Sequence, residues 1–95
     1  MPQDTYAPPL RDTSATISLR MERYLLMTRV IGATTPGERA ELIGVDRKTI
    51  FRAEQRGQFG RDFMAAAVAA FRQHTELLQS CGLSPTLDEL FEVLA

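Results

Sequence analysis

The sequence is poor in the residues that catalytic and metal chemistry most often use. It has one cysteine, one histidine and no tryptophan among 95 residues. Cys81 on its own can form neither an internal disulfide nor a cysteine-based zinc site. His74 on its own leaves few routes to histidine-dependent catalysis or to metal binding. We therefore expect neither enzyme activity nor a cofactor nor a metal site.

The chain also lacks long apolar runs. No stretch of about 18 apolar residues occurs, so we expect no membrane-spanning segment and no membrane partner. The start, MPQDTYAPPLRD, has neither the basic beginning nor the apolar stretch of a signal peptide. We therefore expect a cytoplasmic protein.

The length of 95 residues favours one domain. Residues 1–15 hold three of the five prolines, together with Thr, Ser and Asp, and can bury little apolar surface. This composition predicts a flexible N-terminal arm over residues 1–15 and a folded domain over residues 16–95.

The net charge of −1 conceals an uneven distribution of charge. Residues 20–61 carry nine basic and five acidic side chains, whereas residues 62–95 carry one basic and five acidic side chains. Binding to phosphate needs local positive charge and not a basic chain as a whole. The middle of the chain is therefore compatible with a nucleic-acid partner.

Apolar residues recur at three-to-four spacing in most of the sequence, which is typical of helices with one buried face. This spacing predicts one helix within residues 17–31, one long helix within residues 61–82 and a last helix that begins at Thr86. We expect no strand, because no segment alternates between apolar and polar residues. The prediction is an all-α domain of about five helices.

The segment TTPGERAELIG contains the signals for the start of a helix. Thr35 is followed three residues later by Glu38, which is the spacing of a capping box. Pro36 stands at the first helical position, where proline is favoured. These residues predict a short helix from Pro36 to Ile43.

A second short helix is predicted directly afterwards. Gly44 stands where the chain must turn sharply, and glycine makes such a turn without a steric clash. Asp46 is a favourable N-cap for a helix over Arg47–Gln55. Two short helices joined by a glycine-containing turn form a helix-turn-helix unit.

Residues 35–57 resemble the helix-turn-helix of lambda-repressor-like DNA-binding domains, also called the Cro or xenobiotic-response-element type. The resemblance extends over about residues 17–94. Within the family, the chain is similar in particular to small actinobacterial and phage regulators. It implies sequence-specific binding to double-stranded DNA by a small, repressor-like transcriptional regulator. The matching positions are Thr35, Glu38, Ala40, Ile43, Gly44, Val45, Thr49, Ile50 and Glu54.

The resemblance also implies which residues contact DNA. The second helix of such a unit enters the major groove, where its N-terminal residues face the base edges. Arginine and lysine there can donate to O6 and N7 of guanine. The implied base contacts are Arg47, Lys48, Arg52 and Thr49. The implied phosphate contacts are Thr34 and Thr35, at a helix start with free N–H groups, and Arg56 and Arg61.

Two features depart from the family pattern. Arg39 stands where an apolar residue usually packs inward, so either its aliphatic stem packs there with the guanidinium in water, or the helix is rotated. The segment AEQRGQFG at the end of the second helix is about one residue longer than usual.

Regulators of this family commonly bind DNA as two-fold dimers. An apolar stripe in the last predicted helix is the candidate dimer contact, although it could equally complete the core. The stripe consists of Leu87, Leu90, Phe91 and Leu94. We expect a division, with Leu87 and Leu90 inside and Phe91 or Leu94 at the contact. Two other functions stay open: a protein-interaction module, such as an antitoxin-like or phage adaptor, and a recombination accessory protein that binds DNA without regulating transcription.

Overall fold

The computed structural model describes residues 16–94, which form six helices and one small two-stranded sheet. The elements are β1 (Thr16–Leu19), α1 (Met21–Ile31), α2 (Pro36–Ile43), α3 (Arg47–Arg56), α4 (Arg61–Arg72), α5 (Thr75–Ser80), α6 (Leu87–Leu90) and β2 (Phe91–Leu94). The fold is mostly helical, in agreement with the expected class. The predicted N-terminal arm, residues 1–15, lies outside the described residues.

The sheet contradicts the expectation that the chain forms no strand. β1 and β2 pair antiparallel, with Leu19 opposite Phe91 and Ile17 opposite Val93. β1 (TISL) alternates between polar and apolar residues over its four residues, whereas β2 (FEVL) alternates only over its first three. The helix expected from residue 17 therefore begins at Met21.

The long helix expected within residues 61–82 is two helices. α4 ends at Arg72 and α5 begins at Thr75, whose hydroxyl donates to the Arg72 carbonyl at 2.6 Å. The change of direction packs α5 against α1 and buries Leu78 completely. Burial of that side chain favours the break over a continuous helix.

Aromatic rings join the helices in the centre of the core. The Tyr24 ring lies 6.5 Å from that of Phe63 and 6.2 Å from that of Phe71, measured between centroids. Phe59 extends this cluster to Phe91, at 5.3 Å. Rings at these separations attract one another beyond the burial of their area. The start of β2 is therefore part of the core.

The C-terminal apolar stripe is divided between core and surface. The helix that begins after Thr86 ends at Leu90, because the chain continues as β2. Leu90 is fully buried and Phe91 is 7% exposed, whereas Leu87 is 53% and Leu94 is 44% exposed. The expectation that all four residues share one helix face is wrong, because the helix ends after one turn. Leu90 is inside as expected, whereas Leu87 is not.

Within residues 16–94, no helix combines the length and the apolar character that crossing a membrane requires.

Candidate nucleic-acid interface

The start of α2 is fixed by the capping box that the sequence predicts. The Thr35 hydroxyl accepts from the Glu38 N–H at 3.1 Å, and the Glu38 carboxylate accepts from the Thr35 N–H at 3.2 Å. The same carboxylate oxygen accepts from the Thr34 N–H at 2.8 Å and from its hydroxyl at 3.1 Å. The hydrogen bonds from Thr34, first from its backbone and then from its hydroxyl, lower the pKa of Glu38. The capping box is thus retained until the pH falls through this lowered value.

The turn between α2 and α3 has the conformation expected of it. Gly44 has φ of 85°, in the left-handed region, and its N–H donates to the Ala40 carbonyl at 2.8 Å. The Asp46 carboxylate then accepts from the Thr49 N–H at 2.8 Å and caps α3. Hydrogen bonding with Thr49 lowers the pKa of Asp46. Local hydrogen bonds therefore fix where both helices begin.

The inner face of α3 is anchored by apolar contacts and by a buried ion pair. Ile50 and Ala53 are each 1% exposed. The Glu54 carboxylate accepts two hydrogen bonds from the Arg39 guanidinium, at 2.7 and 2.9 Å. It also accepts one from the Tyr24 hydroxyl at 2.6 Å. α1, α2 and α3 therefore meet at a single carboxylate.

The Arg39 guanidinium does not extend into water as the first alternative expects. Its side chain is 10% exposed and that of Glu54 is 3% exposed, so the guanidinium is paired largely inside the protein. The hydrogen bonds to Glu54 raise the pKa of Arg39. A bidentate ion pair of this kind fixes the geometry of both partners. The guanidinium thus replaces the apolar contact that the family pattern led us to expect.

The outer face of α3 carries positive charge around an aromatic ring. One shallow depression is lined by Arg47, Lys48, Phe51, Arg52 and Arg56. All five are exposed, and among residues 16–94 none of the four cations forms an ion pair. We call this surface the α3 outer face. The predicted base contacts Arg47, Lys48 and Arg52 thus lie together with the predicted phosphate contact Arg56.

The cations of the α3 outer face are unfavourable for the helix that carries them. Arg47 and Lys48 lie in the first turn, where the helix dipole repels positive charge. Lys48, Arg52 and Arg56 follow one another at intervals of four residues, so each is the neighbour of a like charge. Such neighbours destabilise a helix by about 0.2–0.5 kcal/mol per pair. Arg56 alone suits the helix dipole, because it lies in the last turn of α3. Folding therefore explains little of this arrangement of charge.

Arg47 also reaches across to α2. An added Cβ on Gly37 would lie 2.7 Å from a terminal nitrogen of the Arg47 guanidinium. The guanidinium therefore lies against the first turn of α2. This contact connects the α3 outer face with the helix start that contains Thr34 and Thr35.

The backbone N–H groups of Thr34 and Thr35 are not free as the sequence analysis assumed. Both donate to the Glu38 carboxylate, which occupies the place of an anion at this helix start. Any phosphate contact of these threonines must therefore use other groups, with the Arg47 guanidinium in the same depression as Thr35.

The other two predicted contacts lie at the edge of this surface or away from it. Thr49 is half-buried beside the Asp46 cap. Arg61 is the first residue of α4 and lines a different groove, with Met64, Val68 and Leu87 among its neighbours.

Two further residues of α3 are exposed, although neither was predicted as a DNA contact. Phe51 is 52% exposed beside the buried Ile50, and Gln55 is exposed one turn after Phe51. The exposure of Phe51 could have been predicted from the helical period, because consecutive residues cannot share one face of a helix. Since Ile50 is in the core, Phe51 must point elsewhere.

Searches of protein-family models, of curated proteins and of solved structures found no match to this chain.

Proposed function

We propose that this chain binds double-stranded DNA with the α3 outer face, as a small helix-turn-helix transcriptional regulator of the lambda-repressor-like type. α3 would enter the major groove, and α2 would lie across the backbone at its edge. In this arrangement Lys48 and Arg52 donate to guanine edges, and Thr49 contacts a base or a phosphate near the helix start.

The observation that carries the proposal is the unpaired charge of the α3 outer face. Four cations lie on one helix without an ion-pair partner among residues 16–94, two of them at the helix end that disfavours them. A surface that destabilises its own helix is understandable if a polyanion occupies it. The inner face of α3 is held by hydrogen bonds to α1 and α2, so the charges are presented on a fixed support.

Arg47 has two possible roles in the complex. Its position in the first turn of α3 suits a base contact, as the sequence predicts. Its guanidinium against Gly37 also places positive charge in the same depression as Thr35, where a phosphate would lie. Arg56 completes the phosphate contacts at the other end of α3, whereas Arg61 would reach DNA only beyond the end of that helix.

The proposal is tested by selecting bound duplexes from a random DNA pool and measuring affinity against salt. We expect log K to fall steeply as log salt rises, because each phosphate contact releases a counterion. Lys48→Ala and Arg52→Ala should each weaken binding to the selected site by about 1–3 kcal/mol and relax the preference at one base pair. Neither variant should melt much earlier than the wild type, since both side chains are exposed and form no ion pair within residues 16–94.

Arg72→Ala is the matched control. It removes one exposed arginine from α4, so it changes the net charge equally while leaving the α3 outer face intact. It should keep both the site preference and most of the affinity. Binding that is independent of salt, or equal losses in all three variants, would contradict the proposal.

We further propose that two copies bind as a two-fold dimer through apolar side chains that the C-terminal segment leaves exposed. Leu90 and Phe91 are buried and cannot take part, which leaves Leu87, Val93 and Leu94. Leu87→Glu combined with Leu94→Glu should therefore give a monomer with little change in melting temperature. Sedimentation velocity checks this, and a wild type that is strictly monomeric at high concentration would contradict it.

A protein-interaction module is the second candidate function. The groove between α4 and α6, which includes Met64, Val68 and Leu87, favours it, because an apolar groove is a common docking surface. A wild type that selects no DNA sequence would favour this reading over the first.

A further inference from the structure

Phe51 is the one large apolar side chain of the α3 outer face, and its position is not explained by folding. Its ring is 52% exposed, whereas the adjacent Ile50 is 1% exposed. The fold therefore places this ring outside the core, in the middle of four cations.

The Phe51 ring interacts with a cation on the same helix. The guanidinium carbon of Arg56 lies 5.7 Å from the centre of the Phe51 ring, which is within the range of cation–π attraction. Arg47, Lys48 and Arg52 border the same depression. Phe51 thus stands among the groups that would donate to bases and phosphates.

The chemistry of the major groove limits what an apolar ring can recognise there. Donors and acceptors make up nearly all of what base pairs display in that groove, and the 5-methyl group of thymine is the apolar exception. We infer that Phe51 contacts the 5-methyl group of one thymine in the bound site and so selects thymine at that position. This inference rests on the proposed function and adds an apolar contact to its polar contacts.

The occupant of the depression is DNA and not an apolar protein surface, because of the charges around the ring. Four cations without an ion-pair partner in residues 16–94 would be costly to bury against an apolar partner. A duplex satisfies both requirements, since its phosphates meet the cations while a thymine methyl meets the ring.

The test uses deoxyuridine, which differs from thymidine only in lacking the 5-methyl group. Each thymine of the site selected by the wild type is replaced in turn, and the Kd is measured by fluorescence anisotropy at one fixed salt concentration. At one position we expect the wild type to lose affinity by about fourfold, the effect of removing one methyl group from an apolar contact. Phe51→Ala should bind the thymine and deoxyuridine duplexes equally, whereas Phe51→Leu should keep part of the difference.

Leu26→Ala is the control, because Leu26 is an exposed apolar residue of α1 outside the depression. It should show the same sensitivity to deoxyuridine as the wild type. Phe51→Ala should lower the melting temperature only slightly, since the residue is 52% exposed.

The possible failures can be distinguished. If the wild type binds no duplex, the proposed function and this inference fail together. If it binds a selected site but no thymine shows a methyl effect that depends on Phe51, only the inference is overturned. Unchanged affinity and preference in Phe51→Ala would likewise overturn it and would point to a protein partner for the ring.

Discussion

The two faces of α3 differ in whether their charged side chains are paired. On the inner face, the Glu54 carboxylate is buried and receives hydrogen bonds from Arg39 and Tyr24. On the outer face, four exposed cations have no ion-pair partner in residues 16–94. The inner charges fix the position of the helix, whereas the outer cations form no ion pair within residues 16–94. The contrast indicates which charges serve structure and which remain for a ligand.

The arginines at the start of α1 also differ from the cations of the α3 outer face, because they have ion-pair partners. At the start of α1, Arg20 pairs with Glu92 at 3.6 Å, and Arg23 pairs with Glu89. The acidic C-terminal segment thus pairs with Arg20 and Arg23 but not with the cations of α3. Of the cations in residues 20–61 that have no ion pair within residues 16–94, four lie on the α3 outer face, and the other two are Arg29 and Arg61.

Breaking the inner ion pair should have the largest effect on stability. Arg39→Met leaves the Glu54 carboxylate buried without its cation, which costs about 3–5 kcal/mol of unfolding free energy. Chemical denaturation measures this loss. The triple variant Arg39→Met, Glu54→Leu, Tyr24→Phe removes all three polar partners, and it should be much more stable than Arg39→Met alone. If the single variant were as stable as the wild type, the pair would not anchor α3.

This ion pair also marks a limit of what the sequence could predict. The caps at Thr35 and Asp46 and the turn at Gly44 were predicted correctly, because each depends on residues within four positions of one another. The partner of Arg39 lies 15 residues away on another helix, and no periodicity indicates such a pairing.

The terminal segments were mispredicted for the same physical reason. β1 and β2 are four residues long and lie at opposite ends of the described chain, so each is a strand only because the other is beside it. The pattern of Leu87, Leu90, Phe91 and Leu94 fits a helix locally, but burial of Phe91 among the core aromatics favours a strand. The position of Phe51 could have been predicted, since assigning Ile50 to the core excludes its neighbour.

The stability of the protein at alkaline pH should test the hydrogen bond that the Tyr24 hydroxyl donates to Glu54 on the inner face of α3. Burial, and then the hydrogen bond to Glu54, raise the pKa of Tyr24 far above its ordinary value of 10.0. The folded state therefore keeps the hydroxyl protonated at a pH where the unfolded chain loses its proton. The stabilisation is complete below pH 10.0 and is lost as the pH rises towards the folded-state pKa.

Tyr24→Phe checks this sign. The variant should be less stable near pH 7 by about 1.5–3 kcal/mol, because a hydrogen bond to a charged group is lost. Its stability should then fall less steeply above pH 10 than that of the wild type. Denaturation curves at several alkaline pH values measure both effects, and any contribution of Tyr6 is common to the two proteins. Parallel pH profiles would show that the Tyr24 hydroxyl is not protected.

The smallest effect on stability, and the sharpest separation of the two faces, is expected from Gly37→Ala. Alanine in a helix is favoured over glycine by about 0.5–1 kcal/mol, so the variant should be slightly more stable. The new Cβ would lie 2.7 Å from the Arg47 guanidinium, which is the end of a flexible side chain and can move away. DNA binding should weaken nevertheless, because that guanidinium no longer lies against the start of α2.

Arg47→Ala provides the comparison: combining the two changes should weaken binding no further than Arg47→Ala alone, since both act on one side chain. A Gly37→Ala protein that binds the selected site as tightly as the wild type would show that Arg47 does not act from this position.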